Sequence, residues 1–232
     1  MRRRLLFILA VKIEVGATSL ATHPLEVTFH GRSCHIASLT DSGINALDCA
    51  VELYQKIKEL KKTFPKGAIV GAIFTEAGTA PNVVTPKATI RMTVRGSTVD
   101  DLEGIILPAI KAAAQEIAAS YGAQVEMHHY EPLFKDMRQD KRLLDLFKAV
   151  MTEFGEVPRI LPDDEADGST DVGNVSYEVP TAQPTLQIGL GLEAHTPEFT
   201  CAAGSDYGLA QAIKGAKIMA VVALRYALLS DT

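Results

Sequence analysis

The chain has 232 residues, of which 47% are hydrophobic and 22% charged, with a net charge of −5. That length sustains one large domain or two modest ones with real cores. The negative charge excludes a nucleic-acid-binding role built on a basic surface, and Cys34, Cys49 and Cys201, odd in number and outside any CxxC pair, exclude a disulfide framework or a cysteine zinc site.

Met1-Arg2-Arg3-Arg4 precedes the apolar run Leu5–Val11, an arrangement that imitates a signal peptide. Lys12 and Glu14 interrupt the run and no convincing cleavage site follows, so it reads as a buried strand with a solvated start. The few cysteines suit a reducing, cytoplasmic compartment. The other apolar stretch, Ile218–Leu229, contains Arg225 and is too short to span a bilayer, so no membrane partner is expected.

From Leu25 the pattern becomes regular. Val27 and Phe29 alternate with Glu26 and Thr28, as in a half-buried strand. Asp41 and Ser42 offer N-caps for a helix whose apolar stripe is Ile44, Leu47, Val51, Tyr54, Ile57 and Leu60, stopped by Pro65 and Gly67. Strands are expected over Ile69–Thr75 and around Ile90, Met92 and Val94, separated by the turn Gly78–Asn82. Thr98 caps a second helix with Asp100 and Asp101 in its first turn, Pro108 kinks it, and Gly122 ends it. Val125, Met127 and His129 mark a fourth strand. The order β-α-β-β-α-β is the ferredoxin-like plan, an antiparallel sheet with two helices on one face.

After Tyr130 the grammar is that of an α/β domain. Leu143, Leu144, Phe147, Val150, Met151 and Phe154 make an amphipathic helix ended by Gly155. Thr185–Leu190 reads as a buried strand, and a short strand within Met1–Val15 is placed in the same sheet. Ser205 caps a long final helix expected to turn Leu209, Ile213, Ala216, Met219, Ala220 and Ala223 inward. The acids Asp163, Asp164, Glu165 and Asp167 lack the glycine and distal glutamate of an EF-hand and read as a solvated loop.

Two runs are shaped to present side chains: Gly168–Ser176 and Glu193–Phe199, the latter around His195. His195 suits a metal ligand or an acid–base group, and equally an ordinary loop histidine. His35, just past a strand and the turn Gly31-Arg32-Ser33, can reach a ligand. Asn82 and Arg95 bracket the third strand; an amide binds a carbonyl oxygen and a guanidinium fork binds a carboxylate. On spacing alone both are also ordinary sheet-end residues. His128 and His129, adjacent on a strand, point to opposite faces and cannot share a metal. His23 and His30 receive no role. Nothing forms a nucleophile elbow, a Walker loop or a dinucleotide fingerprint.

Phe29-His30-Gly31-Arg32-Ser33-Cys34-His35, Gly43-Ile44-Asn45-Ala46-Leu47-Asp48, Ala80-Pro81-Asn82-Val83-Val84, Val94-Arg95-Gly96, the Gly168–Ser176 run and His195-Thr196-Pro197-Glu198-Phe199 together resemble the zinc-dependent aminoacylase and carboxypeptidase G superfamily. The Gly168–Ser176 run looks closest to the branch of p-aminobenzoyl-glutamate hydrolase and the Xaa-Arg dipeptidases. The resemblance implies an α/β catalytic domain with two zincs and an inserted ferredoxin-like lid that makes a homodimer. It implies hydrolysis of the amide bond of N-acyl amino acids or dipeptides. By the same resemblance His35 acts in trans on the oxyanion, Asn82 and Arg95 hold substrate, and His195 is a zinc ligand. The implied division is 1–23 as a remnant of the catalytic domain, 24–131 as the lid, and 132–232 as the C-terminal part of the catalytic domain.

The family's other metal ligands and its general-base Glu pair have no counterpart here, since Met1–Leu20 holds no His and only one acid, Glu14. One His cannot assemble a zinc site that needs three or four protein ligands. The expectation is therefore a truncated chain, inactive alone and binding zinc poorly. A stand-alone dimerisation module and a non-catalytic binder of small carboxylates remain open alternatives.

Overall fold

The computed structural model describes residues 8–10, 12–16, 18–37, 42–162, 166 and 168–229. In chain order the elements are β1 (Ile8–Ala10), β2 (Glu14–Val15), β3 (Ala21–Thr22), β4 (Leu25–His30), α1 (Ala46–Leu60), β5 (Ile69–Glu76) and β6 (Lys87–Gly96). Then come α2 (Val99–Asp101), a π-helical turn (Leu102–Ile106), α3 (Leu107–Tyr121), β7 (Gln124–His129), α4 (Lys141–Glu153) and β8 (Arg159–Ile160). The chain closes with α5 (Val172–Ser176), β9 (Thr185–Gln187), α6 (Pro197–Ala203) and α7 (Asp206–Leu229). It divides into two compact units, Leu20–Asp136 and Met1–Ser19 with Met137–Thr232.

The first unit is the ferredoxin-like plan. Its strands lie in the order β7-β4-β6-β5, all antiparallel, with β3 paired to the far end of β6. That extra pairing, together with the reciprocal backbone bonds between Thr22 and Phe134, draws residues on both flanks into the lid unit. Leu25, Val27 and Phe29 of β4 and Ile90, Met92 and Val94 of β6 form the core with Leu53 of α1 and Ile106 and Ile110 of the second helix. Period-2 alternation put these strand residues on one face, as the sequence implied.

The α1 stripe has the expected period but another phase. Ala46, Cys49, Ala50, Leu53 and Ile57 are buried, Leu47, Tyr54 and Leu60 flank them, and Val51 is exposed. Three of the five buried residues are Ala or Cys, which lets the helix lie close to the sheet. Burial pushes the Cys49 thiol up to about 11. The N-cap is Asn45, whose Oδ1 accepts from the Leu47 amide at 3.1 Å, and neither Ser42 nor Asp41; Asp41 lies outside the described residues. Thr98 does cap the second helix, accepting from the Asp101 amide at 3.1 Å, and Gly122 ends it at φ +69°. Pro108 sits in the first turn of α3, just after the π-helical turn, so its missing N–H falls where the helical bonding pattern is being reset.

The second unit is a small α/β assembly with the strand order β1-β9-β2-β8. β1 runs parallel to β9, so the apolar N-terminal segment supplies a strand as expected, while Met1–Phe7 lie outside the described residues. Helices α4 and α7 pack on this sheet through Leu143, Phe147, Val150 and Met151 against Leu186, Ile218 and Val222. Arg225 of α7 donates twice to the Glu153 carboxylate of α4, at 2.6 and 2.8 Å, and Lys214 pairs with Glu156.

Ser205 caps α7 as expected, accepting from the Gly208 amide at 3.1 Å. The inward face is not the one expected. Gly208, Gln211, Gly215, Ile218 and Val222 are buried, whereas Leu209, Ile213, Ala216, Ala220 and Leu224 are exposed. Gly208 marks where the helix approaches its neighbour, since a Cβ there would stand 2.3 Å from the Ala202 carbonyl oxygen. At 24 residues α7 is also longer than the apolar run suggested, and by length and composition alone it could cross a membrane. Its ion pairs to Glu153 and Glu156, and its packing against α4, account for it as an element of this unit.

Candidate functional site

The lid's distal loop is built on close backbone approaches. Arg32 and Ile44 exchange backbone bonds at 2.9 and 3.0 Å, which requires Gly31: a Cβ there would lie 2.0 Å from the Ile44 carbonyl oxygen. The next residues run beside the segment after the Gly78 turn. The Val84 amide donates to the Cys34 carbonyl at 2.9 Å and the Ile36 amide to the Asn82 carbonyl at 3.1 Å. His35 is thereby paired with Val83 and held beside Asn82. Both side chains are exposed. The His35 Nδ1 accepts from the Ala37 amide at 3.1 Å.

Arg95 is not with them. It lies eight residues beyond Lys87 on β6, roughly 26 Å along the strand at about 3.3 Å per residue. There it pairs with Thr22 on one side and Ile69 on the other, at the end of the sheet where the chain enters and leaves the lid unit. The family resemblance grouped Asn82 with Arg95; the strand between them places them at opposite ends of the sheet.

The structure separates these residues from chemically similar neighbours. Arg91, on the same face of β6, is engaged by Glu26 at 2.6 and 2.8 Å and lies over the Tyr130 ring. Four of the six histidines also have charged or polar neighbours: His23 with Glu103 at 2.6 Å, His128 with Glu26 at 3.4 Å, His129 with Pro24 and Lys111, and His30 with Glu126 at 3.4 Å, although the buried His30 Nε2 makes no hydrogen bond. Among the described residues, the Asn82 amide, the Arg95 guanidinium, the His35 Nε2 and the His195 ring have no protein partner. Unspent polar groups are what a ligand-facing site requires.

His195 belongs to the other unit. It is the non-glycine residue with positive φ, +64°, among the described residues, and it is exposed. Backbone in this region is costly for a residue with a Cβ and collects at functional positions. The following residues start α6: Thr196 accepts from the Phe199 amide at 3.2 Å and donates to the Glu193 carbonyl at 2.8 Å, with Pro197 in the first turn. Gly168–Ser176 likewise leads into a helix, α5, with Thr170 accepting from the Val172 amide. Both runs read as loops in sequence because capping residues and loop residues are the same types. Ser176 accepts from the Arg138 amide at 2.9 Å, and the Arg138 guanidinium lies 3.7 Å from the Tyr177 ring centroid.

No three metal-ligating side chains converge among the described residues. Asp163, Asp164, Glu165 and Asp167 lie outside them. The donors among the described residues do not make up a two-metal centre.

A histidine pair the sequence reading left without a role packs near Arg95. The His23 and His129 rings stack at 3.4 Å between centroids. The His129 Nδ1–H donates to the Pro24 carbonyl at 3.0 Å, which leaves Nε2 to accept from Lys111 at 3.0 Å. Burial, then His23 and Lys111, hold the His129 pKa below its ordinary value. The folded state therefore takes this proton less readily than the unfolded chain. The stability it contributes is full above about pH 6.5, the unfolded value, and is lost as pH falls through the lower folded one. Urea unfolding of the full chain should show a lower midpoint at pH 5.5 than at pH 7.5, and His129→Gln should flatten that dependence. An unchanged slope in the variant would refute the assignment.

Residues 23–122 match the peptidase dimerisation domain of the M20 family. The chain is 28% identical over 208 residues to the mouse Xaa-Arg dipeptidase, covering 88% of this chain and 48% of the relative. It is 27% identical over 209 residues to the human Xaa-Arg dipeptidase, covering 88% and 47%. Among solved structures it resembles a hydantoinase/carbamoylase family amidase from Burkholderia vietnamiensis, with a TM-score of 0.65, 15% identity, and coverage of 87% of this chain and 52% of that one. The chain thus spans about half the length of the relatives it matches. Residues 23–122 thus match a peptidase dimerisation domain, set between the two segments of the other unit, and over 88% of its length the chain is similar to Xaa-Arg dipeptidases.

Proposed function

We propose that the chain is the dimer-forming part of a metallo-amidohydrolase of the dipeptidase type, cleaving the amide bond of N-acyl amino acids or dipeptides. The observation that carries this reading is the placement of unspent donors at opposite ends of β6. Arg95 is separated by roughly 26 Å of strand from Lys87, which opens β6 after the 82–84 segment that holds His35, so one small substrate cannot bridge the two places in one protomer. Two copies can resolve this. β5 is the outer strand of the sheet, pairing with β6 alone, and it exposes Ile69, Ile73 and Phe74. Antiparallel pairing of two β5 edges about a two-fold axis would turn one sheet end-for-end against the other. Arg95 of one protomer then lies toward His35 and Asn82 of its partner.

In such a site each group has one task. Arg95 takes the substrate carboxylate as a bidentate fork. The Asn82 amide and the His35 ring donate to the carbonyl oxygen of the scissile amide, where negative charge develops. Separately, in the other unit, His195 is by family resemblance a candidate metal donor, zinc in that family, and no second and third donor converge on it among the described residues. The three free cysteines suit a cytoplasmic setting.

Metal analysis and hydrolysis assays on the purified chain test the reading. Substoichiometric zinc and no turnover of N-acyl amino acids or dipeptides are expected. Two bound metals with turnover would overturn the claim that the donor set is incomplete.

A further inference from the structure

The His35 ring is held by more than its backbone. Cys34 and Ile36 flank it, both bonded to the segment 82–84, so the Cα position is fixed by two interstrand bonds at 2.9 and 3.1 Å. The side chain then turns back on its own loop, where the Ala37 amide donates to Nδ1 at 3.1 Å. An N–H can donate only to a nitrogen that carries a lone pair, so Nδ1 is the unprotonated nitrogen and the neutral ring's hydrogen sits on Nε2. Among the described residues Nε2 has no protein partner, and the side chain is exposed.

We propose that the Ala37 amide locks His35 as its Nε2–H tautomer, so that the ring presents one outward hydrogen-bond donor and recognises an acceptor oxygen, a carbonyl or a carboxylate. In this tautomer Nε2 has no lone pair available for a metal ion or for taking a proton from water. Ala37 is thus a positioning residue that acts through its backbone. The consequence for substrate rests on the function proposed above; the tautomer itself does not.

The test is long-range proton–nitrogen NMR of the full chain with nitrogen-labelled histidine, at about pH 8, above the ordinary histidine pKa of about 6.5. His35→Gln identifies the signal. The expected spectrum places Nε2 as the protonated nitrogen and Nδ1 as the bare one. Ala37→Pro removes the N–H, and the His35 signals should move toward an averaged mixture of tautomers while the other five histidines stay in place. Where Ala37→Pro disturbs the others, amide exchange decides. The Ala37 amide should exchange about tenfold more slowly in the native chain than in His35→Ala, the factor for one net hydrogen bond. The reverse tautomer or an averaged native ring would overturn the proposal, as would equal Ala37 exchange rates in the two proteins. A locked tautomer in a chain whose completed enzyme ignores His35→Ala would leave this assignment standing and remove only the substrate role.

Discussion

Gly31→Ala should unfold the lid's distal loop and lower the stability of the chain by about 3 kcal/mol, the upper range for forcing atoms into a filled site. The added Cβ would meet the Ile44 carbonyl oxygen at 2.0 Å and its carbon at 2.9 Å, and both are backbone. Neither can rotate away. The paired bonds between Arg32 and Ile44 would part, and with them the start of the loop that carries His35 beside Asn82. The matched control is Gly104→Ala, where nothing lies within 4 Å of the new Cβ. That substitution sits in the π-helical turn and should be neutral or stabilising by up to about 1 kcal/mol. Urea unfolding midpoints of both variants check the pair, and a Gly31→Ala midpoint equal to that of the native chain would contradict the packing described.

Ile73→Lys should convert a dimer into monomers. Ile73 lies near the middle of the eight-residue β5 and is 62% exposed, a large apolar side chain left in water on an outer strand. Natural outer strands that stay unpaired carry charge at such positions. If two β5 strands meet antiparallel, a two-fold axis near the strand centre brings both copies of residue 73 close together. Two lysines would then repel where two isoleucines pack. Sedimentation equilibrium should show the dissociation constant rising at least about a hundredfold, near 2.7 kcal/mol, while the thermal unfolding of the protomer is barely changed. A native chain that is monomeric at micromolar concentration, or a variant that dimerises as well as the native chain, would refute pairing through β5.

The lid was legible because its strands obey period 2 and its helices period 3.6, and both periods follow from local backbone geometry. Thr98, Gly122 and Ser205 act where the sequence placed them, since a cap needs only its own turn. The phase of a helix is another matter. In α1 the buried stripe runs through Ala46, Cys49 and Ala50, and in α7 through Gly208, Gln211 and Gly215. A reading that seeks large apolar residues overlooks small ones, yet small residues let a helix approach its neighbours. The engaged state of Arg91, against the unspent Arg95, was likewise invisible, because Glu26 and Tyr130 are distant in sequence.

By itself the sequence determined the β-α-β-β-α-β order and the core strands and carried the family resemblance, since each rests on local pattern or ordered motifs, and it nominated four candidate side chains. Only the tertiary structure decided which of those side chains share a place. The family resemblance joined Asn82 to Arg95, thirteen residues apart, but an extended strand carries its two ends apart, whereas a turn returns the chain to its start. His35 and Asn82 meet through long-range backbone bonds, and Arg95 lies at the other end of the sheet, beside Thr22. The proposal that the site needs two copies of the chain follows from that distance, which no count along the sequence contains.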